Sequence, residues 1–237
     1  CPMLYVLLDL LVLAFPLALS FDRRVAFYKS WPAVFSAIAG IVLVFGAWDV
    51  WKTAIGVWFF SPRYAGTWRF LGLPAGEWLF FICVPYACIF ILACVRAYIT
   101  DRVFFIPLWF WYILSAAFII AGFILMNKTY TGVVFISVAI AILVVRIVTP
   151  ANFRSANFWL SLAITYVPFL IANGVLTGLP VVLYDDSRNL GIRVFSIPLE
   201  DFFFSLSMLL LSFALYDFFS RKGSGVPKEG DAEKEAS

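Results

Sequence analysis

Long apolar runs, almost free of charge, constrain this chain more than any other feature. They extend from Met3 to about Ser20, Pro32 to Trp51, Glu77 to Tyr98, Phe104 to Met126, Thr131 to Val148, Phe158 to Leu179 and Asp201 to Phe219. Apolar runs of roughly 18 or more residues read as membrane-spanning helices. Lipid cannot satisfy backbone N–H and C=O groups, so only helices or a closed barrel can cross it. These runs are too long and unbroken for barrel strands. Composition agrees: 64% of residues are hydrophobic and 13% charged, against roughly 45–50% and about 25% in a soluble domain. The expected fold is all-α, a polytopic membrane helical bundle of seven transmembrane helices. The first run lacks a signal-peptide cleavage pattern and is kept as a helix. Met3 reads as the natural start, with Cys1 and Pro2 extraneous to it.

Polar residues are scarce here, so their spacing carries information. A shift of 124 positions lays Asp49 on Asn173, Thr53 on Thr177, Arg69 on Arg193, Pro74 on Pro198, Glu77 on Asp201 and Phe80 on Phe204. No gap is needed between Asp49 and Phe80. The reading is an internal duplication. It divides the chain into a three-helix repeat over 3–98, a linker transmembrane helix over 99–126, a second three-helix repeat over 127–219, and a disordered cytoplasmic tail over 220–237. The tail is rich in Lys, Glu and Gly, a composition that cannot build a core. Helices one and five are four helices apart and cross in the same direction, so the halves are parallel repeats about an axis along the membrane normal. Both proline–acid segments, and both Asp49 and Asn173, then lie on one side of the membrane.

The loops after the first, third and fifth helices, with the start of the tail, are short and rich in Arg and Lys. The positive-inside rule puts them in the cytoplasm and the N-terminus outside the cell membrane. There is no His, and no GxGxxG or GxxxxGK[ST] sequence. His-based catalysis is excluded, and no nucleotide or flavin site is expected. Cys83, Cys88 and Cys94 share one apolar run without CxxC spacing, so they read as packing residues and no metal site is expected. The net charge of +3 on such a chain does not point to nucleic acid.

The chemistry-bearing residues gather at two helix starts. Ile197-Pro198-Leu199-Glu200-Asp201-Phe202-Phe203-Phe204 echoes Leu73-Pro74-Ala75-Gly76-Glu77-Trp78-Leu79-Phe80-Phe81. A proline and an acid in a first turn are ordinary helix-start chemistry. Their occurrence twice on one membrane side, with Asp49 and Asn173 nearby, points to a site, because ionisable groups near hydrocarbon are costly. Several acids in a low-dielectric pocket cannot all ionise, and one that keeps its proton can protonate an alkene. Aromatic faces would stabilise the resulting cation, and Trp48, Trp51, Trp58, Trp78, Phe80, Phe81, Phe202, Phe203 and Phe204 are available. Many of these also suit an interfacial aromatic belt. Arg69 and Arg193 are candidates to pair with the acids and tune their charge, or to anchor at the interface.

Seven helices, a duplicated unit and Pro-x-Glu-Glu/Asp followed by aromatics resemble the integral-membrane, non-flavin lycopene cyclase family in its fused two-repeat form. The resemblance covers about residues 3–219. Pro198-Leu199-Glu200-Asp201 fits the motif fully, whereas Gly76 stands where the first half should carry its first acid. The resemblance implies a redox-neutral, acid-catalysed closure of the linear end group of lycopene to a β-ionone ring, without cofactor, on a lipid-soluble linear carotenoid. It implies catalytic roles for Glu200, Asp201, Glu77 and Asp49, with Asn173 and the aromatics around the substrate. The main weight falls on the second motif. Other readings are a small-solute transporter with parallel repeats, another prenyl-chain cyclase or hydratase, and a non-catalytic cyclase partner. A rhodopsin is excluded, because the last run carries no Lys.

Overall fold

A computed structural model describes residues 3–223; Cys1, Pro2 and residues 224–237 lie outside the described residues. The frame is built from α1 (Leu4–Leu19), α2 (Phe27–Ala54), α3 (Ala75–Tyr98), α4 (Leu108–Ile124), α5 (Thr129–Val148), α6 (Ala156–Gly178) and α7 (Leu199–Gly223). Five of these, α2, α3, α5, α6 and α7, are long and apolar enough to cross a membrane. The other two are apolar but shorter, with 16 residues in α1 and 17 in α4. At 1.5 Å per residue they measure about 24–26 Å, less than a hydrocarbon core of about 30 Å.

Three boundaries depart from the sequence reading. Hydropathy predicts a helix from Phe104 in the fourth run, but α4 begins after Pro107, whose ψ of 144° is extended. The preceding segment stays extended because Phe104 N donates to Arg154 O (3.0 Å) and Ala156 N to Arg102 O (2.9 Å). In contrast, α2 is longer than Pro32–Trp51: it starts in a 3₁₀ turn at Phe27 and holds a π-helical turn over Val42–Gly46. Composition places residues 220–223 in the disordered tail, yet they continue α7.

The backbone repeats the 124-residue spacing seen in the side chains. Strands β1 (Trp58–Phe60) and β2 (Val182–Tyr184) stand 124 residues apart and pair antiparallel, with Phe59 opposite Leu183 at the centre. Asp185 N donates to Val57 O (2.9 Å) and Ser61 N to Val181 O (3.0 Å), so each half gives the other the same bond. Strands β3 (Arg193–Val194) and β4 (Ile197–Pro198) form a tight hairpin whose turn holds Phe195 at φ 57°. Phe70 bridges Leu73 in the same way, around Leu71 at φ 51°. Each hairpin leads straight into a helix, α3 or α7, and so fixes where the proline–acid motif starts.

Packing follows the same plan. Helix α1 lies on α3, and α5 on α7. Crossing between halves, α2 packs on α7, and α6 on α3. Helix α4 packs on α5, where Gly122 and Gly132 bring the two backbones together. The main core lies away from the motif loops, among Phe90, Leu92, Val138, Ile142, Phe158, Leu210 and Phe213. At that end Arg96 of α3 forms a two-pronged ion pair with Asp217 of α7, at 2.5 and 2.9 Å. At the motif end the helices spread around a cavity.

Candidate active site

Two helix starts, one helix end and the middle of α1 supply the acids of this cavity, and a second helix end supplies an amide. Glu77 lies in the first turn of α3 and Asp201 in that of α7, while Asp49 and Asn173 sit near the ends of α2 and α6. Both α2 and α6 are distorted one turn earlier, by the π-turn at Val42–Gly46 and by Pro168, which stands at the position equivalent to Val44. Such distortions re-aim the side chains that follow. The result is a cavity of about 410 Å³ lined by α1, α2, α3, α5, α6, α7 and the β1–β2 ribbon. That size suits the end of an apolar ligand.

Among the described residues four carboxyl groups line it, those of Asp9, Asp49, Glu77 and Asp201, and no Lys or Arg does. Without a countercharge they cannot all be ionised. Their hydrogen bonds divide them. Asp201 accepts from Tyr130 Oη (2.6 Å) on one oxygen, and from Asn173 Nδ2 (2.9 Å) and Tyr184 Oη (2.7 Å) on the other. Half-buried Tyr184 keeps its proton, because desolvation and the facing Asp201 push its hydroxyl well above the ordinary tyrosine range. Glu77 accepts from Tyr5 Oη (2.7 Å). Asp49 lies against Glu77 and near the Trp58 indole, and neither of its buried oxygens has a hydrogen-bond partner of good geometry. Two carboxylates offer each other no donor, so these two can bond each other only by sharing a proton.

The second acid of the complete motif is elsewhere. Glu200 does not line the cavity. Its Oε1 accepts from Thr131 Oγ1 (2.5 Å) and from Leu190 N (2.8 Å), tying the loop before β3 to α5. The equivalent Gly76 has a packing reason: a Cβ there would come within 2.7 Å of Tyr5 Cβ and Cδ1. The Tyr5 ring, whose hydroxyl holds Glu77, occupies the space that a side chain at 76 would need.

Of the aromatics singled out from sequence, Trp58, Phe80 and Phe204 reach the cavity. Trp48 backs Phe204 with a ring separation of 5.2 Å, and Phe81 is buried beside Phe80. Phe202 packs on Tyr166 and Phe169, and Phe203 on Phe118 and Phe135. Trp51 is exposed, and Trp78 hydrogen-bonds Phe70 O (3.1 Å) outside the cavity. The arginines do not pair with the buried acids. Arg69 donates to the carbonyls of Gly66, Trp68 and Phe60; Arg193 donates to Ser196 O and to Asp186 Oδ1 (2.6 Å).

Sequence reasoning missed Tyr5, Asp9, Tyr130 and Tyr184. Asp9 had a visible signal, as the one charged residue in the first apolar run. The tyrosines had none, because an aromatic near a membrane interface is unremarkable until its partner is known. A more open recess of about 570 Å³ lies at the other end of the bundle, lined by Arg96, Asp101, Arg154 and Asp217 among others. Its acids are already engaged, Asp217 by Arg96 and Asp101 by Asn157 N (2.9 Å), so it offers no free proton chemistry.

The apolar cavity thus holds two neighbouring acids, Glu77 and Asp49, a third carboxyl with three hydrogen-bond donors, and aromatic faces. Comparison with known families finds that a model described as lycopene cyclase matches residues 2–95 and again 127–219. The chain belongs to the lycopene cyclase family. Membership places it in carotenoid biosynthesis, and its long apolar helices make it a membrane protein. The two matched segments of this lycopene cyclase family member carry Glu77 with Asp49 and Asp201 with Asn173, respectively. No curated protein and no solved structure gives a significant match.

Proposed function

We propose that the chain is a lycopene β-cyclase, an isomerase that closes the linear end group of lycopene to a β-ionone ring. The observation that carries this reading is the unequal solvation of the buried carboxyls. Asp201 has three donors, whereas Glu77 and Asp49 have one between them apart from each other. The proton of the Glu77–Asp49 pair passes to C2 of the terminal double bond and leaves a cation at C1. The C5=C6 double bond attacks it, the C1–C6 bond forms, and the charge moves to C5. Loss of the C6 proton restores neutrality and leaves the ring double bond. One proton enters and one leaves, so neither an oxidant nor a reductant enters the balance. Phe80, Phe204 and Trp58 turn aromatic surface to the cation. Asp201, a fixed anion held by neutral donors, opposes its charge without collapsing onto it. Apolar walls exclude the water that would capture the cation.

In this reading the chain is a fused pair of three-helix repeats joined by α4, with all seven helices crossing the cell membrane. The short α1 and α4 cross with help from the residues flanking them. The charged ends of α1, α3 and α5 face the cytoplasm, and the cavity opens toward the outer side. The substrate is a linear carotenoid entering from the lipid. Pigment analysis of lycopene-accumulating bacteria expressing the chain tests the proposal. The expected product carries β-rings. Glu77→Gln and Asp201→Asn should each lower ring formation by at least about a hundredfold, as loss of an acid–base group does, with the protein still in the membrane. Unchanged lycopene in cells that hold the wild-type chain, or full activity in both variants, defeats it.

A further inference from the structure

The steps above use only the motif end of the cavity, and most of its length remains. Three helices line it with about one side chain per turn. On α3 these are Glu77, Phe80, Val84, Cys88 and Ile91, spaced three or four residues apart. Tyr5, Asp9, Val12 and Pro16 keep the same spacing on α1, and Thr165, Pro168 and Ala172 on α6. Such spacing marks one continuous face of each helix. Glu77 and Ile91 are 14 residues apart, so the lining on α3 runs about 21 Å. Beyond Asp9 it holds no carboxyl, Lys or Arg among the described residues, and Ala87 and Cys88 keep its α3 wall thin. This deeper half also reaches the surface sideways. Phe15 lines the cavity and is 71% exposed. Val12 on α1 and Pro168 and Ala172 on α6 are partly exposed beside it. Helices α1 and α6 each pack on α3 but touch one another little, which leaves a slit between them on a face that lies in lipid.

We propose, resting on the cyclase reading, that the deeper half is a sleeve for the conjugated chain and that it opens to the bilayer between α1 and α6 beside Phe15. The reacting end group sits at the acids. The polyene behind it runs along α3 over Ala87 and Cys88, and the remainder leaves through the slit. A cavity of about 410 Å³ holds only part of a linear carotenoid. A conjugated chain is stiff and cannot fold back on itself, so the rest must emerge, and the slit supplies an apolar exit. Apolar contact along the sleeve is binding energy remote from the reaction, of the kind that fixes an end group in place. Specificity follows from this arrangement. The enzyme reads one linear end and the straight apolar chain behind it, while the far end stays in lipid and is free to be linear or already ringed. The acids lie at one end of the cavity only, so the two ends of one molecule enter in separate binding events.

The test uses the full chain expressed in lycopene-accumulating bacteria. Glu77→Gln leaves its substrate unconverted, so bound lycopene is read in lipid nanodiscs as pigment per protein and as induced circular dichroism in the visible range, which a polyene acquires in a chiral seat. Cys88→Phe added to Glu77→Gln should lower both readings about tenfold, as overfilling a fitted site does. With the acids intact, Cys88→Phe should cut ring formation by a like factor. Ile82→Phe, which adds the same ring on the exposed side of α3, controls for bulk alone and should change neither reading. If Cys88→Phe does not accumulate, Val12→Phe on α1 takes its place. A carotene with one ring, supplied in proteoliposomes, should be closed at its linear end as readily as lycopene. The proposal is overturned if the filled sleeve binds and converts lycopene as before, if Glu77→Gln retains no lycopene, or if the one-ring carotene is refused; in each case rings formed by the wild type leave the cyclase reading standing. If the wild-type chain forms no ring at all, the cyclase reading falls and this inference falls with it.

Discussion

At the scale of single residues, the two acids of the complete motif have different surroundings and should differ in consequence. Asp201 faces the cavity, while Glu200 spends its Oε1 on Thr131 and Leu190. A glutamine keeps that acceptor, so Glu200→Gln should retain most ring formation in the pigment assay that Glu77→Gln fails. Glu200→Ala loses both bonds and leaves the buried Thr131 hydroxyl unpaired, which costs about 1–3 kcal/mol; thermal aggregation in detergent should report a less stable protein. Gly76→Glu, which would complete the first motif, should harm the protein and not improve it. Its Cβ alone would enter the Tyr5 ring space, and overpacking costs about 1–3 kcal/mol. Loss of the Tyr5–Glu77 bond should follow, read as lost ring formation. These positions show what the sequence could and could not disclose. Asp49, Glu77 and Asp201 were legible because a carboxyl near hydrocarbon demands a reason. The difference between Glu200 and Asp201 was not, because adjacent helix residues point about 100° apart and only the fold says which faces the cavity. Gly76 read as a missing acid, when its cause is a ring 71 positions earlier in the chain.

At the scale of elements, the helix ends carry the structure that positions the site. Helix α6 brings Asn173 to Asp201, and it is started by Ser155, whose side chain accepts from Phe158 N at 3.1 Å. Asp101 and Asn157 add bonds at the same point, to Asn157 N (2.9 Å) and to Ile99 O (2.7 Å). Ser155→Ala should therefore destabilise the protein by about 1 kcal/mol, the usual worth of an N-cap. Because the cap is remote from the acids, activity per folded molecule should be unchanged, and a thermal-stability series with parallel pigment measurements separates the two. Helix existence was legible from hydropathy at nearly every run. Helix length was not, because α4 is cut by a backbone exchange with residues 154–156 and α2 is extended by a 3₁₀ turn. Neither has a hydropathy signature. The β1–β2 ribbon was also hidden: its strands are three residues long and pair across 124 positions, beyond the reach of local pattern.

At the scale of the whole molecule, the two halves are not separable bodies. Helix α2 packs on α7 and α6 on α3, and the central strand pair joins Phe59 to Leu183. The acid pair comes from residues 49 and 77, whereas Asp201 and all three of its donors come from 130 to 201. An ancestral pair of like halves would have offered matching groups from both sides. Here the positions have diverged, with Asp49 facing Asn173 in the equivalence and Glu77 facing Asp201. In the proposed mechanism the first half holds the proton and the second half the anion. The duplication was legible from six matches, four of them polar, but the proposed division of roles was not, because it depends on Tyr130 and Tyr184, which have no tyrosine at the equivalent positions Val6 and Phe60. If the site is shared in this way, a fragment ending at 126 and one starting at 127 should each leave lycopene unchanged when expressed alone. Expressed together they should reassemble through the crossed helix contacts and restore β-rings. Asp201→Asn in the second fragment should abolish the restored activity, even beside an intact first fragment. Ring formation by either fragment alone, with its partner absent from the cell, would mean that a complete site resides in one half.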